Sequence, residues 1–254
     1  LSCRKYYHNS KIIAFQHTTF FPNQLAYHLG SGEAEFHPLP DKIVCSGPIY
    51  VGLLERSGFP KKILESGPNL RFGAVHEVDR IDKIKLNNSK KSLMLPLTFS
   101  YNLAYELFLK IKECIEDSDD YEVYIRNHPL LNKNKLKSFL ENIDLTNYSF
   151  ADDGIIQEWL PGMNAMILTG GSITTLEAVV MGVPVIRIVP DNTISYDCFA
   201  SSEYPLYPVN TAEEIKKQLQ IVESLLDDDR DTFSKIAKKI LPKYFSKPTD
   251  INLK

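Results

Sequence analysis

Short apolar runs of strand length alternate with longer segments of helical period along this chain. Apolar runs at residues 93–99, 121–127, 148–152, 164–168 and 183–189 predict strands in the second half. After the first run, apolar residues recur every three or four positions, which predicts a helix with one buried face. That stripe consists of Leu103, Ala104, Leu107, Phe108, Ile111 and Ile115. Because helical segments separate the strands, the pattern predicts an α/β fold whose parallel sheet is covered by helices on both faces.

The first half repeats this pattern on a smaller scale. Runs at 11–15, 41–47 and 61–67 predict three strands, and a helix begins at Pro48 and ends near Gly58. The pattern weakens between residues 68 and 91, where polar and charged residues dominate. We therefore expect a domain at 1–70, a linker at 71–91, a second domain at 92–210, and closing helices at 211–254. Thr211 and Glu214 form a capping box for the first closing helix.

Composition narrows the classes of function. The 254 residues carry 29 basic and 32 acidic side chains, so the formal net charge of −3 disfavours general nucleic-acid binding. No apolar run approaches the roughly 20 residues that a membrane helix needs. The four cysteines and six histidines are scattered without metal-ligand spacing, so we expect no metal site. Sparse cysteine is typical of a reducing compartment, which favours a cytoplasmic protein.

Ligands of parallel sheets bind beside the carboxyl ends of the strands, so the residues that follow each strand are the candidate site. After the run at 164–168 come Gly170 and Gly171, which permit a sharp turn and a close approach by a ligand. The hydroxyls of Ser172, Thr174 and Thr175 then begin a helix, whose amino end favours a phosphate. The alternative is purely structural, because Thr174 and Glu177 have the spacing of a capping box.

A second candidate follows the run at 121–127. His128 stands where that strand ends, Pro129 stiffens the loop, and Arg126 could add positive charge. A histidine in this position can donate a hydrogen bond to a phosphate or help a leaving group. The alternative is a His-Pro turn that only ends the strand.

Two weaker candidates could supply a base. Asp152 and Asp153 follow the run at 148–152, and His17 follows the first strand. For the aspartates the alternative is an N-cap of the short helix that comes next. For His17 the alternative is a histidine with a structural role.

Four segments carry a resemblance to a known family. RNHP (126–129), ADDG (151–154), WLPGMNAMILTGG (159–171) and SITTLEAVVMGVPVI (172–186) resemble the C-terminal half of GT-B glycosyltransferases that build bacterial surface polysaccharides. The His-Pro and hydroxyl-rich motifs are similar to those of capsule and lipopolysaccharide Kdo transferases and of some sialyltransferases. In those sialyltransferases the acidic motif precedes the His-Pro motif, whereas Asp152-Asp153-Gly154 follows it here.

The resemblance implies a GT-B-like fold of two Rossmann-like domains, with residues 1–70 as the remainder of a truncated or reduced acceptor-side domain. Residues 92–210 would be the domain that binds the nucleotide-sugar. His128, Arg126 and the turn from Gly170 to Thr175 would hold the phosphate, and Glu177 would face the ribose. His17 or Asp153 would be catalytic. The donor could be CMP-linked, and neither a metal nor a cofactor would be required.

Several alternatives stay open at this point. The same motifs fit a UDP-sugar 2-epimerase, a polyol-phosphate transferase or a non-catalytic nucleotide-binding module. The acceptor of a glycosyltransferase would be a surface glycan or a lipid-linked molecule. Lysines of the last helix, at 235, 238, 239, 243 and 247, could contact the inner face of a membrane. The alternative is a helix whose apolar side packs on the protein and whose lysines face solvent.

Overall fold

The computed structural model describes residues 6, 9–16, 18–68, 84, 89–116, 118–169, 172–191, 197, 199, 204–229 and 231–247. The chain divides into two compact units, one within residues 1–77 together with 238–254 and the other within residues 78–237. The domain limits expected from the sequence stay a prediction.

The unit within 1–77 and 238–254 contains a parallel sheet of three described strands. These are β1 (Ile13–Phe15), β2 (Lys42–Cys45) and β3 (Leu64–Ser66), in the order β1-β2-β3. Helix α1 (Pro48–Arg56) follows β2, with Pro48 in its first turn. A proline there loses no helical hydrogen bond, since the first amides of a helix have no partner within it.

The larger unit contains a five-stranded parallel sheet. Its strands are β4 (Lys91–Pro96), β5 (Tyr121–Arg126), β6 (Tyr148–Phe150), β7 (Ala165–Thr169) and β8 (Val185–Ile188). They are arranged in the order β6-β5-β4-β7-β8. The helices are α2 (Tyr101–Ile115), α3 (Lys133–Asn142), α4 (Ile156–Trp159), α5 (Ile173–Val180), α6 (Ala212–Asp228) and α7 (Thr232–Tyr244), the last of which continues into residues of the other unit.

The strand order explains where a crevice forms. The chain proceeds from β4 outward to β6, then returns and proceeds in the opposite direction through β7 and β8. Since crossovers between parallel strands are right-handed, the two directions place helices on opposite faces. The direction changes between β4 and β7, and ligands of such sheets bind beside the carboxyl ends of the strands at this point. The predicted α/β class with parallel sheets is confirmed.

Burial follows the sequence pattern closely. Every residue of β7 is buried, and Leu93, Met94 and Leu95 of β4 are fully inaccessible. A central strand with helices on both faces has no solvent-facing side, which is why it is a continuous apolar run in the sequence. Five of the six residues in the stripe predicted for α2 are buried, and Leu103 is partly exposed. The predicted capping box of Thr211 and Glu214 begins α6. No helix among the described residues is both long enough and apolar enough to span a bilayer.

Candidate functional site

A cleft of about 410 Å³ lies at the carboxyl ends of the strands in the larger unit. It is lined by residues 96–97 at the end of β4, 126–129 at the end of β5, 155–157 around the start of α4, and 172–174 at the start of α5. The chain brings four separate loops to this edge of the sheet because all five strands are parallel. The cleft therefore lies at the point where the strand order predicts a ligand.

The cleft joins the two strongest sequence candidates. Arg126 and His128 line it from the β5 loop, and Ser172 and Thr174 line it from the start of α5. Thr175 and Glu177 lie behind its surface, 1% and 6% exposed. Asp153 is exposed in the loop after β6 and is not among the lining residues. His17, Gly170 and Gly171 lie outside the described residues.

His128 is held in a defined tautomer. Its Nδ1 accepts a hydrogen bond from the backbone amide of Leu130 at 3.2 Å. A ring nitrogen that accepts carries no proton, so a neutral imidazole has its proton on Nε2. The loop is braced further by Asn127, whose Nδ2 donates to the carbonyl of Leu131 at 3.1 Å. His128 therefore offers a hydrogen-bond donor from a stiffened loop.

The start of α5 offers further donors. Ser172 has extended backbone angles and is the N-cap, and its Oγ accepts from the amide of Thr174 at 3.3 Å. Among the described residues, the amide of Ile173 has no hydrogen-bond partner, since it is the first residue of the helix. The hydroxyl of Ser172 also donates to Oγ1 of Thr174 at 3.1 Å, so an anion in the cleft could accept from the amide of Ile173 and from the hydroxyl of Thr174.

The predicted alternative, a capping box of Thr174 and Glu177, is wrong. Thr174 already lies inside α5, two residues beyond the N-cap. The carboxylate of Glu177 instead accepts a hydrogen bond at 2.8 Å from Nε2 of Gln157, in α4. Glu177 thus links α5 to α4 behind the cleft.

Arg126 braces the loop after β6. Its Nη1 donates to the carbonyls of Ala151 at 2.6 Å and Asp153 at 3.3 Å, and its Nη2 donates to Gly154 at 2.7 Å. A guanidinium has five donors in a fixed plane, so one side chain can hold a turn of carbonyls. Arg126 thereby fixes the shape of one wall of the cleft and contributes positive charge to it.

The aspartates after β6 have separate structural partners. Asp152 forms an ion pair with Lys133 at 2.6 Å, and the carbonyl of Asp153 accepts from the indole nitrogen of Trp159 at 2.8 Å. The predicted N-cap role for the aspartates is wrong, since Ile155 holds that position in α4. There the Glu158 carboxylate accepts from the amide of Ile155 at 3.2 Å.

Two features of the cleft escape sequence reasoning. Gln157 lines it, but nothing in the segment GIIQEWL marks this glutamine as different from a surface residue. The loops around the cleft also carry three exposed large apolar side chains, Phe99, Leu130 and Ile155, which are 71%, 76% and 51% exposed. Isolated exposed residues are ordinary, so only their shared position at one edge of the sheet draws attention to them.

The described residues contain no group of three metal-ligating side chains. The donors of the cleft are a backbone amide, hydroxyls, an imidazole and a guanidinium. All of these can bind an anion without a cation between them.

No protein-family model matches this chain, and no curated protein matches its sequence. Solved structures do match its fold. Sucrose-phosphate synthase from Thermosynechococcus elongatus has a TM-score of 0.61 at 12% identity, over 95% of this chain and 65% of its own. UDP-GlcNAc 2-epimerase from Neisseria meningitidis, bound to UDP-GlcNAc, has a TM-score of 0.57 at 12% identity, over 93% and 66%. The pneumococcal O-GlcNAc transferase GtfA, in complex with UDP and GlcNAc, has a TM-score of 0.55 at 12% identity, over 95% and 51%.

These similarities concern the fold. The chain spans less than two thirds of the length of each of the three proteins. The predicted GT-B-like fold with Rossmann-like parallel sheets is confirmed, since the structures similar to it are glycosyltransferases and UDP-GlcNAc 2-epimerases of this fold. The closer likeness to Kdo transferases and sialyltransferases stays a prediction.

Proposed function

We propose that this chain binds a nucleotide-sugar in the cleft of its larger unit and belongs to a metal-independent glycosyltransferase. The observation that carries the proposal is the meeting of His128 with the amino end of α5 in one cleft. Both elements present hydrogen-bond donors, and a phosphate has enough charged oxygens to accept from several donors at once. The shared fold with enzymes whose structures hold UDP or UDP-GlcNAc supports the same conclusion.

The chemistry of transfer follows from these donors. When a glycosidic bond to a nucleotide breaks, negative charge grows on the leaving phosphate. The amide of Ile173, the hydroxyl of Thr174 that Ser172 orients, and Nε2–H of His128 would bind this charge more strongly than they bind the ground state. Such preorganised donors accelerate the step without a metal ion.

The remaining roles are proposals of the same kind. Gly170, Gly171 and Thr175 would shape the phosphate turn, Arg126 would add positive charge, and Glu177 would support the nucleoside end of the ligand. His17 or Asp153 would take the proton from the acceptor hydroxyl. The acceptor would be a surface glycan or a lipid-linked molecule, and the protein would act in the cytoplasm, at the inner face of the membrane where the acceptor is lipid-linked.

Nucleotide binding is the first test. Isothermal titration with UDP, CMP and CDP should give a dissociation constant for at least one of them. A ligand at a hundred times its dissociation constant should raise the free energy of unfolding by about 2.7 kcal/mol. The His128→Ala variant should lose most of this binding, while Gln220→Leu, an exposed change in α6, should keep it. If none of the three nucleotides binds or stabilises the protein, the proposal is wrong.

A second candidate is 2-epimerisation of a UDP-sugar, because the Neisseria epimerase shares the fold over 93% of this chain. The two activities differ in their need for an acceptor. Incubation with UDP-GlcNAc alone, followed by chromatography of the nucleotide-sugars, would reveal an epimer if the chain belongs to an epimerase. A transferase would release UDP only when an acceptor is present, apart from slow hydrolysis.

A further inference from the structure

Gln157 and Glu177 form a pair that joins the cleft to the interior behind it. Nε2 of Gln157 donates to the Glu177 carboxylate at 2.8 Å. Glu177 is 6% exposed and does not line the cleft, whereas Gln157 does. The pair therefore has one member that a ligand can touch and one that it cannot reach directly.

The pair also determines what Gln157 offers to a ligand. In this hydrogen bond the glutamine directs its NH₂ group toward Glu177. Its carbonyl oxygen Oε1 is then the atom left for other partners, and it has none among the described residues. At this point the cleft presents a hydrogen-bond acceptor, while His128 and the start of α5 present donors.

We propose that Gln157 is a specificity-determining residue, whose Oε1 accepts a hydrogen bond from the nucleoside part of the ligand, and that Glu177 is its positioning residue. This inference rests on the proposed nucleotide function. The ligand group must be a hydrogen-bond donor, which a nucleoside offers either as a ribose hydroxyl or as a ring N–H. Glu177, expected from the sequence to face the ribose, would instead act through Gln157.

The test is calorimetric titration of the purified chain with UDP as the probe. Gln157→Leu removes the acceptor while keeping a similar shape, and Glu177→Leu removes the brace. Glu177→Gln keeps an oxygen that can accept from Gln157. Gln220→Leu is the matched control on an exposed helix, and thermal unfolding of each variant checks its fold.

Loss of one hydrogen bond should weaken UDP binding by about 3- to 10-fold in Gln157→Leu. Glu177→Leu should weaken it to a similar extent, and the double variant should be no weaker than either single one. Such non-additivity is expected of two residues that act as one unit. Glu177→Gln should recover most of the affinity, which a general loss of packing would not allow.

Two ligand analogues distinguish the sources of the donor. If a ribose hydroxyl is bound, 2′-deoxy-UDP or 3′-deoxy-UDP should bind the parent and Gln157→Leu equally. If the ring N–H is bound, N3-methyl-UDP should instead be the analogue that binds the parent and Gln157→Leu equally.

If Glu177→Leu fails to fold, a double variant in which the glutamine and the glutamate exchange positions replaces it in the test. Gln157→Glu alone would set two carboxylates against each other and should weaken binding strongly. Adding Glu177→Gln restores a donor and an acceptor with their positions exchanged, and should recover much of the loss.

The inference is overturned if Gln157→Leu binds UDP as tightly as the parent. It is also overturned if Glu177→Leu weakens binding further when Gln157 is already leucine, because Glu177 would then contact the nucleotide itself. Failure of the parent chain to bind UDP, CMP or CDP would instead refute the proposed function, and this inference with it.

Discussion

The Nδ1 atom of His128 accepts a hydrogen bond from the backbone amide of Leu130, 3.2 Å away. The contact is local, yet it determines the chemistry of the other ring nitrogen, since a neutral imidazole with an accepting Nδ1 is protonated at Nε2. The amide of Asn132 donates to the hydroxyl of Tyr101 at 2.7 Å and ties the end of this loop to α2. The loop thus presents a donor whose identity and position are both set by the backbone.

This arrangement predicts how substitutions at His128 behave. His128→Ala removes the Nε2–H donor and should weaken nucleotide binding about 10-fold or more, because a hydrogen bond to a charged phosphate is worth about 1.5–3 kcal/mol. His128→Gln should retain part of the affinity, since its amide nitrogen lies close to the position of Nε2. His128→Asn should not, since its shorter side chain reaches only the position of Nδ1. Titration calorimetry measures all three, and equal affinities for the glutamine and asparagine variants would contradict the prediction.

Substitutions at Arg126 should change the stability of the protein as well as its affinity for a nucleotide. Its guanidinium holds three backbone carbonyls, so Arg126→Met should lower the free energy of unfolding by about 2 kcal/mol. Arg126→Lys should recover only part of this, because an ammonium cannot reach three carbonyls in one plane. Urea denaturation gives both values. Unchanged stability of Arg126→Met would mean that the loop keeps its shape without the guanidinium.

The sequence predicts the strands and helices of this protein well because their formation depends on residues that are near one another in the sequence. Strand β7 is buried on both faces, so residues 165–168 form an unbroken apolar run that is distinct from a loop. The helical stripe of α2 and the capping box of Thr211 are likewise set by residues within one or two turns of each other. The strand ends follow, and with them the edge where His128 and Ser172 meet.

The details of the site could not be predicted because they depend on contacts between distant segments. Thr174 and Glu177 have the spacing of a capping box, but the extended backbone of Ser172 (φ −119, ψ 144) makes that residue the N-cap. Glu177 then points to Gln157, 20 residues earlier, a contact that exists only once α4 packs on α5. The carbonyls that hold Arg126 lie 25 to 28 residues beyond it and carry no sequence signal, since every residue has a carbonyl.

The burial of helix α7 indicates whether its contact with a membrane would be apolar or electrostatic. The apolar side of α7 is buried, with Phe233, Ala237 and Ile240 at most 4% exposed, as the packing alternative expects. Lys238 and Lys239 are exposed on its other side. The described residues of α7 thus present no apolar face to a bilayer, so a membrane contact through this helix would have to be electrostatic.

We therefore expect any binding of this chain to vesicles to require anionic lipid and to be absent from vesicles of neutral lipid. Binding should be lost in 0.5 M salt, where charges are screened within about 4 Å. The double substitution Lys238→Glu and Lys239→Glu should lower the partition coefficient more than tenfold, since each basic residue at an anionic surface contributes about 1 kcal/mol. Flotation on a density gradient measures this. Binding to neutral vesicles, or binding to anionic ones that survives 0.5 M salt, would contradict the prediction.

Two buried thiols predict how stability depends on alkaline pH. Burial raises the pKa of Cys45 and of Cys114 from 9.0 to about 11, because a thiolate is poorly solvated inside the protein. Below pH 9 both thiols are protonated in the folded and unfolded chains and have no effect on the slope. Between pH 9 and 11 the unfolded chain loses these protons and the folded one keeps them, so the free energy of unfolding falls as pH rises.

Each thiol should contribute a slope of up to about 1.4 kcal/mol per pH unit in that range. Cys45→Ala and Cys114→Ala should lower stability by an amount that does not vary with pH below 9, through the cavity each leaves. Above pH 9 each variant should lose stability less steeply than the parent. Urea denaturation at several pH values between 7 and 11 gives the slope of the free energy of unfolding against pH for each protein. The difference between the slopes of parent and variant removes the contribution of the tyrosines and lysines that both proteins share. Parallel curves for parent and variants would show that the thiols titrate in the folded chain as they do in the unfolded one.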